Sequence, residues 1–399
     1  MGEVWLGRHR ASGLPVAIKT IRAKRLRTAS YRAAFAREVR AVAGLSHPGI
    51  VHIFDHGEVS PEAAEQSQGK LAAGSSYLVM ELATAGNLSV CPPEDWPGLR
   101  AALTSILQAL AHAHSRGLVH RDLKPANVIL CGPGDLGQGL KLADFGAVHL
   151  LDLEDRRQDA GSVVGTPQYM APEQILAEEH AIGPATDLYS LGCLAWWLCA
   201  GELPFKEPST HGVMRAHLRQ QPPALRPILP LGPGFEGWLR RLLEKDPADR
   251  FLSAAQALAA LVALDDPVVD TARAEPPPSR PAESTVWPSD DLGTQPMTRT
   301  LEGLVPAMPR EPLCPRPVLP VPASWRTPTP LPPAPLLDAG LGLFGLRQVP
   351  LHGRGPLQDQ LWEALRKVGR SGQGQTVLLR GTAGQGKSRL ARWLMERAS

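Results

Sequence analysis

The chain is short of cysteine, of charge bias and of long apolar runs, and each shortage removes a class of protein from consideration. Its five cysteines in 399 residues, at 91, 131, 193, 199 and 314, form no C-x-x-C pair. No histidine stands near them at metal-ligand spacing, and their number is odd, so neither a disulfide framework nor a zinc site is indicated. A reducing cytoplasm fits that usage. Lys and Arg number 42 against 39 Asp and Glu, a net charge of +3. That balance gives no electrostatic reason to expect nucleic acid or an anionic membrane as a partner. The longest apolar run, Leu191 to Ala200, is too short to cross roughly 30 Å of hydrocarbon. Met1 is not followed by a basic segment and an apolar stretch of the secretory kind. The expectation is a cytoplasmic chain with no membrane anchor in this sequence and no nucleic-acid partner.

Proline, by contrast, is plentiful and unevenly spread. Nearly half of the 40 prolines lie between Pro267 and Pro335, in stretches such as EPPPSRP and RTPTPLPPAP. Such a segment buries too little apolar surface to offset its ordering entropy, so residues 265–340 read as an extended, disordered linker. It separates residues 1–264 from residues 341–399. The first piece opens with strand patterns (VAIKTI, IVHIFDHG, SYLVMEL) and continues with helical ones. In RAALTSILQALAHAHSRG, Leu103, Ile106, Leu107 and Leu110 recur at helical spacing, and Gly117 stands where a glycine would end the helix. Strands followed by helices predict an α+β unit with a small sheet lobe and a larger helical lobe. The insert EAAEQSQGKLAAGSS between two strand patterns reads as a loop.

The densest polar cluster is HRDLKPANVIL, His120 to Leu130. An aspartate, a lysine and an asparagine at short spacing place a carboxylate, an ammonium and an amide around one point. Phosphoryl transfer uses that set: a group to orient the attacking hydroxyl, a cation on the transferred phosphate and an oxygen ligand for Mg²⁺. A second carboxylate, Asp144, follows the strand pattern LKLA.

With VAIK (Lys19), AREV (Glu38), HRDLKPAN (Asp122, Lys124, Asn127), ADFG (Asp144) and APE (Glu173) in this order, residues 1–264 resemble the eukaryotic-type, or Hanks-type, bacterial serine/threonine protein kinases. The resemblance implies a two-lobe kinase fold and an enzyme that uses ATP and Mg²⁺ to phosphorylate Ser or Thr of protein substrates, itself included. It implies that Lys19, paired with Glu38, holds the α/β-phosphates. Asp122 then orients the acceptor hydroxyl and Lys124 steadies the γ-phosphate, while Asn127 and Asp144 hold Mg²⁺. Val4, Ala17 and Ile129 would enclose the adenine, with backbone groups of Met80 to Ala83, Glu81 among them, bonding its edge. Glu173 with Arg250, and Asp187, resemble structural anchors. In the activation segment Asp159 and Ala160 stand where relatives carry threonines. Asp159 as a partial phosphate substitute, or Ser162 as the acceptor facing Arg121, are the two readings there, with Thr166 left for substrate positioning.

The opening, MGEV, matches only the last four positions of the family's G-x-G-x-x-G-x-V loop, Gly2 being the third glycine and Val4 the valine. This reading puts the start of translation upstream of Met1. Near the other end, GTAGQGKS (Gly381 to Ser388) is a complete G-x-x-x-x-G-K-S between the strand pattern TVLLR and a helical pattern. Gly381, Gly384 and Gly386 would let backbone N–H groups wrap phosphate oxygens, Lys387 would reach the β/γ-phosphates, and Ser388 would bind Mg²⁺. Residues 344–399 thereby resemble the start of an AAA-like or STAND-type P-loop ATPase, an α/β fold of which only a fragment is present. Two alternatives to a kinase stand beside the main reading: a pseudokinase-like scaffold, and a regulator of the attached P-loop ATPase.

Overall fold

The computed structural model describes residues 3–9, 13–21, 39–67, 70–145, 166–267, 354–371, 375–380 and 387–398. Four antiparallel strands form the first lobe: β1 (Glu3–Arg8), β2 (Pro15–Ile21), β3 (Ile53–Glu58) and β4 (Ser76–Glu81), in the order β1-β2-β4-β3. Lys19 sits in the middle of β2, opposite Val4 on one side and Leu78 on the other. Residues 39–43 are helical, and Val39 and Val42 are buried. The insert after β3 is not all loop. Pro61–Gln66 form helix α1, because the Ser60 hydroxyl accepts from Ala63 N–H at 3.1 Å and Pro61 pre-sets the first turn. A cap of that kind leaves no apolar periodicity, which is why hydrophobic spacing alone does not reveal the helix.

The second lobe is built around α2 (Trp96–His114) and α4 (Pro184–Ala200), with a short helix α3 (Pro172–Ile175) before α4. Asp95 caps α2 by accepting from Gly98 N–H at 2.8 Å. Past its other end Gly117 adopts φ +72°, a backbone that favours glycine. Leu99, Leu103, Ile106, Leu107 and Leu110 of α2 are fully buried. Burial of such a side chain is worth about 1.5–3 kcal/mol. Helix α4 is buried nearly all round, as expected of a helix without a polar face. Helix α6 (Phe235–Leu242) packs on α4, α7 (Ala254–Val262) on α2, and α5 (Thr210–Arg219) on α3. Between the lobes β5 (Val128–Leu130) and β6 (Leu140–Leu142) pair as a hairpin.

Downstream, α8 (Gly355–Ser371) packs on α9 (Lys387–Ala398). The strand expected at TVLLR is absent: residues 375–380 carry no strand, and Val377 and Leu378 are largely exposed. A strand needs a pairing partner for its backbone groups, and the described residues around this segment supply only helices.

Candidate active site

The segment between α2 and β5 is held from below by one carboxylate. Asp187, fully buried near the start of α4, accepts from His120 N–H and Arg121 N–H, both at 2.8 Å, and lies 2.8 Å from His114 Nε2. Burial alone would raise its pKa. The His114 hydrogen bond and the neighbouring imidazoles outweigh that penalty and hold it below the ordinary carboxylate value. Held this way, Arg121 takes φ +66°, a left-handed backbone rare for a side-chain-bearing residue. Gln174 of α3 secures the same residue, donating from Nε2 to Arg121 O at 2.8 Å. His120 Nε2 lies 2.9 Å from Ala143 O, so that nitrogen carries the proton and donates. The other, Nδ1, accepts from Asp122 N–H at 3.4 Å.

Above this base the polar side chains converge as the HRDLKPAN spacing predicts. Lys124 Nζ donates to Asp122 Oδ2 at 2.8 Å and to Thr166 Oγ1 at 2.9 Å. Asn127 Nδ2 donates to Asp122 O at 2.7 Å and to Asp122 Oδ2 at 3.0 Å. With its nitrogen so used, Asn127 keeps its amide oxygen as the atom suited to a hard cation. A small recess lined by Asp122, Thr166, Tyr169 and Ser190 adjoins the group.

Lys19 comes to the site from the sheet lobe, and its Nζ stands 2.7 Å from Asp144 Oδ2. Asp144 has φ +60°. Two left-handed, non-glycine residues, Arg121 and Asp144, therefore flank the cluster, the kind of local strain that gathers where function needs it. Lys19 and Asp144 also enter a cavity lined by Val42, Val51, Met80 and Phe145. Of the residues expected around adenine, Met80 lines that cavity and Val4, Ala17 and Ile129 do not. Ala17 is buried, Ile129 is half-buried and Val4 is 62% exposed. Gly2, Glu38, Asp159, Ala160, Ser162, Gly381, Gly384 and Gly386 lie outside the described residues, so the Lys19–Glu38 pairing does too. Lys387 and Ser388 are the first two residues of α9.

The anchors read from sequence are in place. Arg250 and Glu173 form a fully buried two-point pair, Nη1–Oε1 at 2.8 Å and Nη2–Oε2 at 2.9 Å. Thr186 Oγ1 and three backbone carbonyls complete their hydrogen bonds. Sequence reasoning missed His114 and Gln174. The i to i+3 step from Ala171 to Gln174 and the histidine in AHAHS were the only local signals.

Residues 1–261 match the protein kinase domain family, and the chain belongs to it. It is similar to the serine/threonine-protein kinase Pkn1 of Myxococcus xanthus, 36% identical over 277 residues, which is 68% of this chain and 38% of that protein. It is similar as well to the serine/threonine-protein kinase PknA of Mycobacterium tuberculosis, 36% identical over 293 residues, 72% of this chain and 64% of that one. This chain thus spans between 38% and 64% of the length of these two relatives. The solved PknI kinase domain of Mycobacterium tuberculosis aligns with a TM-score of 0.47 at 28% identity, covering 66% of this chain and 90% of that one. Among the described residues no helix is long and apolar enough to cross a membrane.

Proposed function

We propose that this chain is a serine/threonine protein kinase that transfers the γ-phosphate of ATP to hydroxyls of protein substrates, itself included. The observation that carries the reading is the line Thr166–Lys124–Asp122–Asn127, hydrogen-bonded end to end beside the Lys19–Asp144 pair. Its two curated relatives bear the same activity in their names. The residues fit a magnesium nucleotide: the Asn127 amide oxygen and the Asp144 carboxylate are hard oxygen ligands, and Lys19 adds an ammonium within reach of the same carboxylate. When bound, ATP with Mg²⁺ supplies the phosphoryl group and the charge neutralisation for its transfer.

The chain's own groups do the rest. Asp122 orients the acceptor hydroxyl and takes its proton at Oδ1 or Oδ2. Lys124 steadies the charge of the transferred group and, through Thr166, aligns the acceptor segment with Asp122. Lys19 positions the phosphates that arrive from the sheet lobe, and the base lies against Ala17, Ile129 and the backbone of residues 81–83. We read residues 1–264 as the kinase unit, 265–340 as a linker and 341–399 as the start of a P-loop ATPase-like unit. Support for the last is that Lys387 and Ser388 open a helix, and the positive end of a helix dipole favours phosphate. A cytoplasmic location follows from the same reading.

Incubation with γ-labelled ATP, Mg²⁺ and a generic basic protein, followed by phosphoamino-acid analysis, tests the assignment. Phosphoserine or phosphothreonine on the acceptor or on the chain is the expected result; label on neither overturns it.

A further inference from the structure

The segment 81–88, which leaves β4 and carries the backbone groups assigned to adenine, is fastened to the β5–β6 hairpin at more points than chain connection requires. Ala85 N–H donates to Leu130 O at 3.0 Å, Leu130 N–H to Gly86 O at 2.9 Å and Leu88 N–H to Val128 O at 2.9 Å. The segment therefore runs alongside β5, with Asn87 bridged antiparallel to Ile129. Side chains then lock both its ends. Thr84 N–H donates to Asp135 Oδ2 at 2.8 Å, and the Thr84 hydroxyl donates to the same carboxylate at 3.1 Å. Asp135 sits in the loop joining β5 to β6 and also accepts from Gly132 N–H at 2.6 Å, so one carboxylate closes the loop and grips the segment.

At the other end the Glu81 side chain reaches the β5–β6 hairpin. Its Oε2 meets Lys141 Nζ of β6 at 3.0 Å and accepts from His52 N–H at 3.2 Å. Both partners of this ion pair are buried, Glu81 at 3% and Lys141 at 8% side-chain exposure. A buried pair is weak evidence for stability, and its better-attested use is to fix one arrangement among several. Two glycines of the loop allow the approach. A Cβ on Gly137 would overlap Glu81 Oε1 and the Lys141 side chain, and one on Gly132 would strike Thr84 Oγ1.

We propose that the β5–β6 hairpin is a clamp in which Asp135, in its loop, and Lys141, on β6, are positioning residues, fixing the backbone of residues 81–84 for the purine of the nucleotide. The inference rests on the kinase reading above and adds a coupling to it. The hairpin that holds the base-binding backbone also carries Asn127 at its entrance and Asp144 just past β6, so base and phosphate ends of one ligand are read against a single rigid piece. Lys141 is legible only in hindsight: in LKLA the apolar neighbours point to the core, and the lysine between them must face the other way.

The test separates base from phosphate by comparing the affinity of the full chain for ADP and for pyrophosphate, both with Mg²⁺. Asp135→Ala removes a charged acceptor from a half-buried loop, and the ADP affinity is expected to fall about fivefold to tenfold, with pyrophosphate unchanged. Asp135→Asn keeps one oxygen and is expected to recover most of the loss. Gly137→Ala, which disturbs the Glu81–Lys141 end, is expected to show the same selectivity. In turnover the loss falls on KM for ATP more than on kcat. Equal losses for ADP and pyrophosphate, or no loss for either, overturn the clamp while leaving the kinase reading intact. An unsubstituted chain that binds neither probe overturns the kinase reading and the clamp with it.

Discussion

In the helical lobe Leu99, Leu103, Ile106 and Leu107 of α2 and Leu188, Leu191 and Leu194 of α4 have no exposed surface at all. In the sheet lobe the described strands gather their own cluster around only Val16 and Phe54, with Leu14, Ile18 and Val79 partly covered, and Val4 and Leu6 of β1 face outward. The difference matches the division of labour at the site. Asp122, Lys124 and Asn127 must keep fixed mutual distances, and they stand on the densely packed lobe, bolted to it by Asp187. On the kinase reading Lys19 meets a ligand that enters and leaves, and among the described residues it comes from the thin lobe to an ion pair with Asp144. Precision is placed where packing is deep, and adjustability where it is shallow.

That contrast can be broken by substitution. Glu173→Ala strands the Arg250 guanidinium in the helical lobe and is expected to cost about 3–5 kcal/mol, read from denaturant unfolding. Leu107→Ala opens a cavity in the same lobe at an expected cost of about 3 kcal/mol. A loss under 1 kcal/mol for Leu107→Ala would show that the lobe relaxes where close packing says it cannot.

Acid acts on the helical lobe by another route. Burial, with the charge of Lys245 nearby, pushes His217 down to about 3, and its Nδ1 lies 2.9 Å from the Tyr189 hydroxyl. Burial, with Lys141 and Arg116, likewise pushes His47 down to about 4. Both folded values lie below the unfolded value of 6.5, so the unfolded chain takes up protons first as pH falls. Their contribution is complete above about pH 6.5 and drains away toward pH 4, at up to roughly 1.4 kcal/mol per pH unit for each histidine. Unfolding midpoints at pH 7 and pH 5 are expected to differ accordingly, and His217→Phe should flatten the slope. The smallest effect belongs to the thin lobe: Leu6→Ala on exposed β1 is expected to change stability by less than about 0.5 kcal/mol.

Much of this was legible in the residues. Leucines at helical spacing, with Gly117 after them, define α2, and HRDLKPAN places three side chains that do meet. What could not be read was set by distance along the chain or by missing periodicity. Asp135 reaches Thr84 across 51 residues, and Lys141 reaches Glu81 from another sheet, contacts that no local pattern encodes. The helix at Pro61–Gln66 rests on a capping serine and a proline without an apolar face, and TVLLR has strand composition with no strand beside it among the described residues. Of the adenine residues chosen by motif position, Met80 lines the Lys19 cavity while Val4 is 62% exposed, because motif position fixes the backbone address and not the exposure.

The most direct test is the rate of phosphate transfer from ATP at saturation by the unsubstituted chain and by Asp122→Asn, with ADP affinity and unfolding midpoint measured on both. The account predicts that transfer falls at least about a hundredfold while affinity and midpoint stay where they were. Equal transfer by the two proteins would contradict it, because the carboxylate held by Lys124 and Asn127 would then have no part in the chemistry.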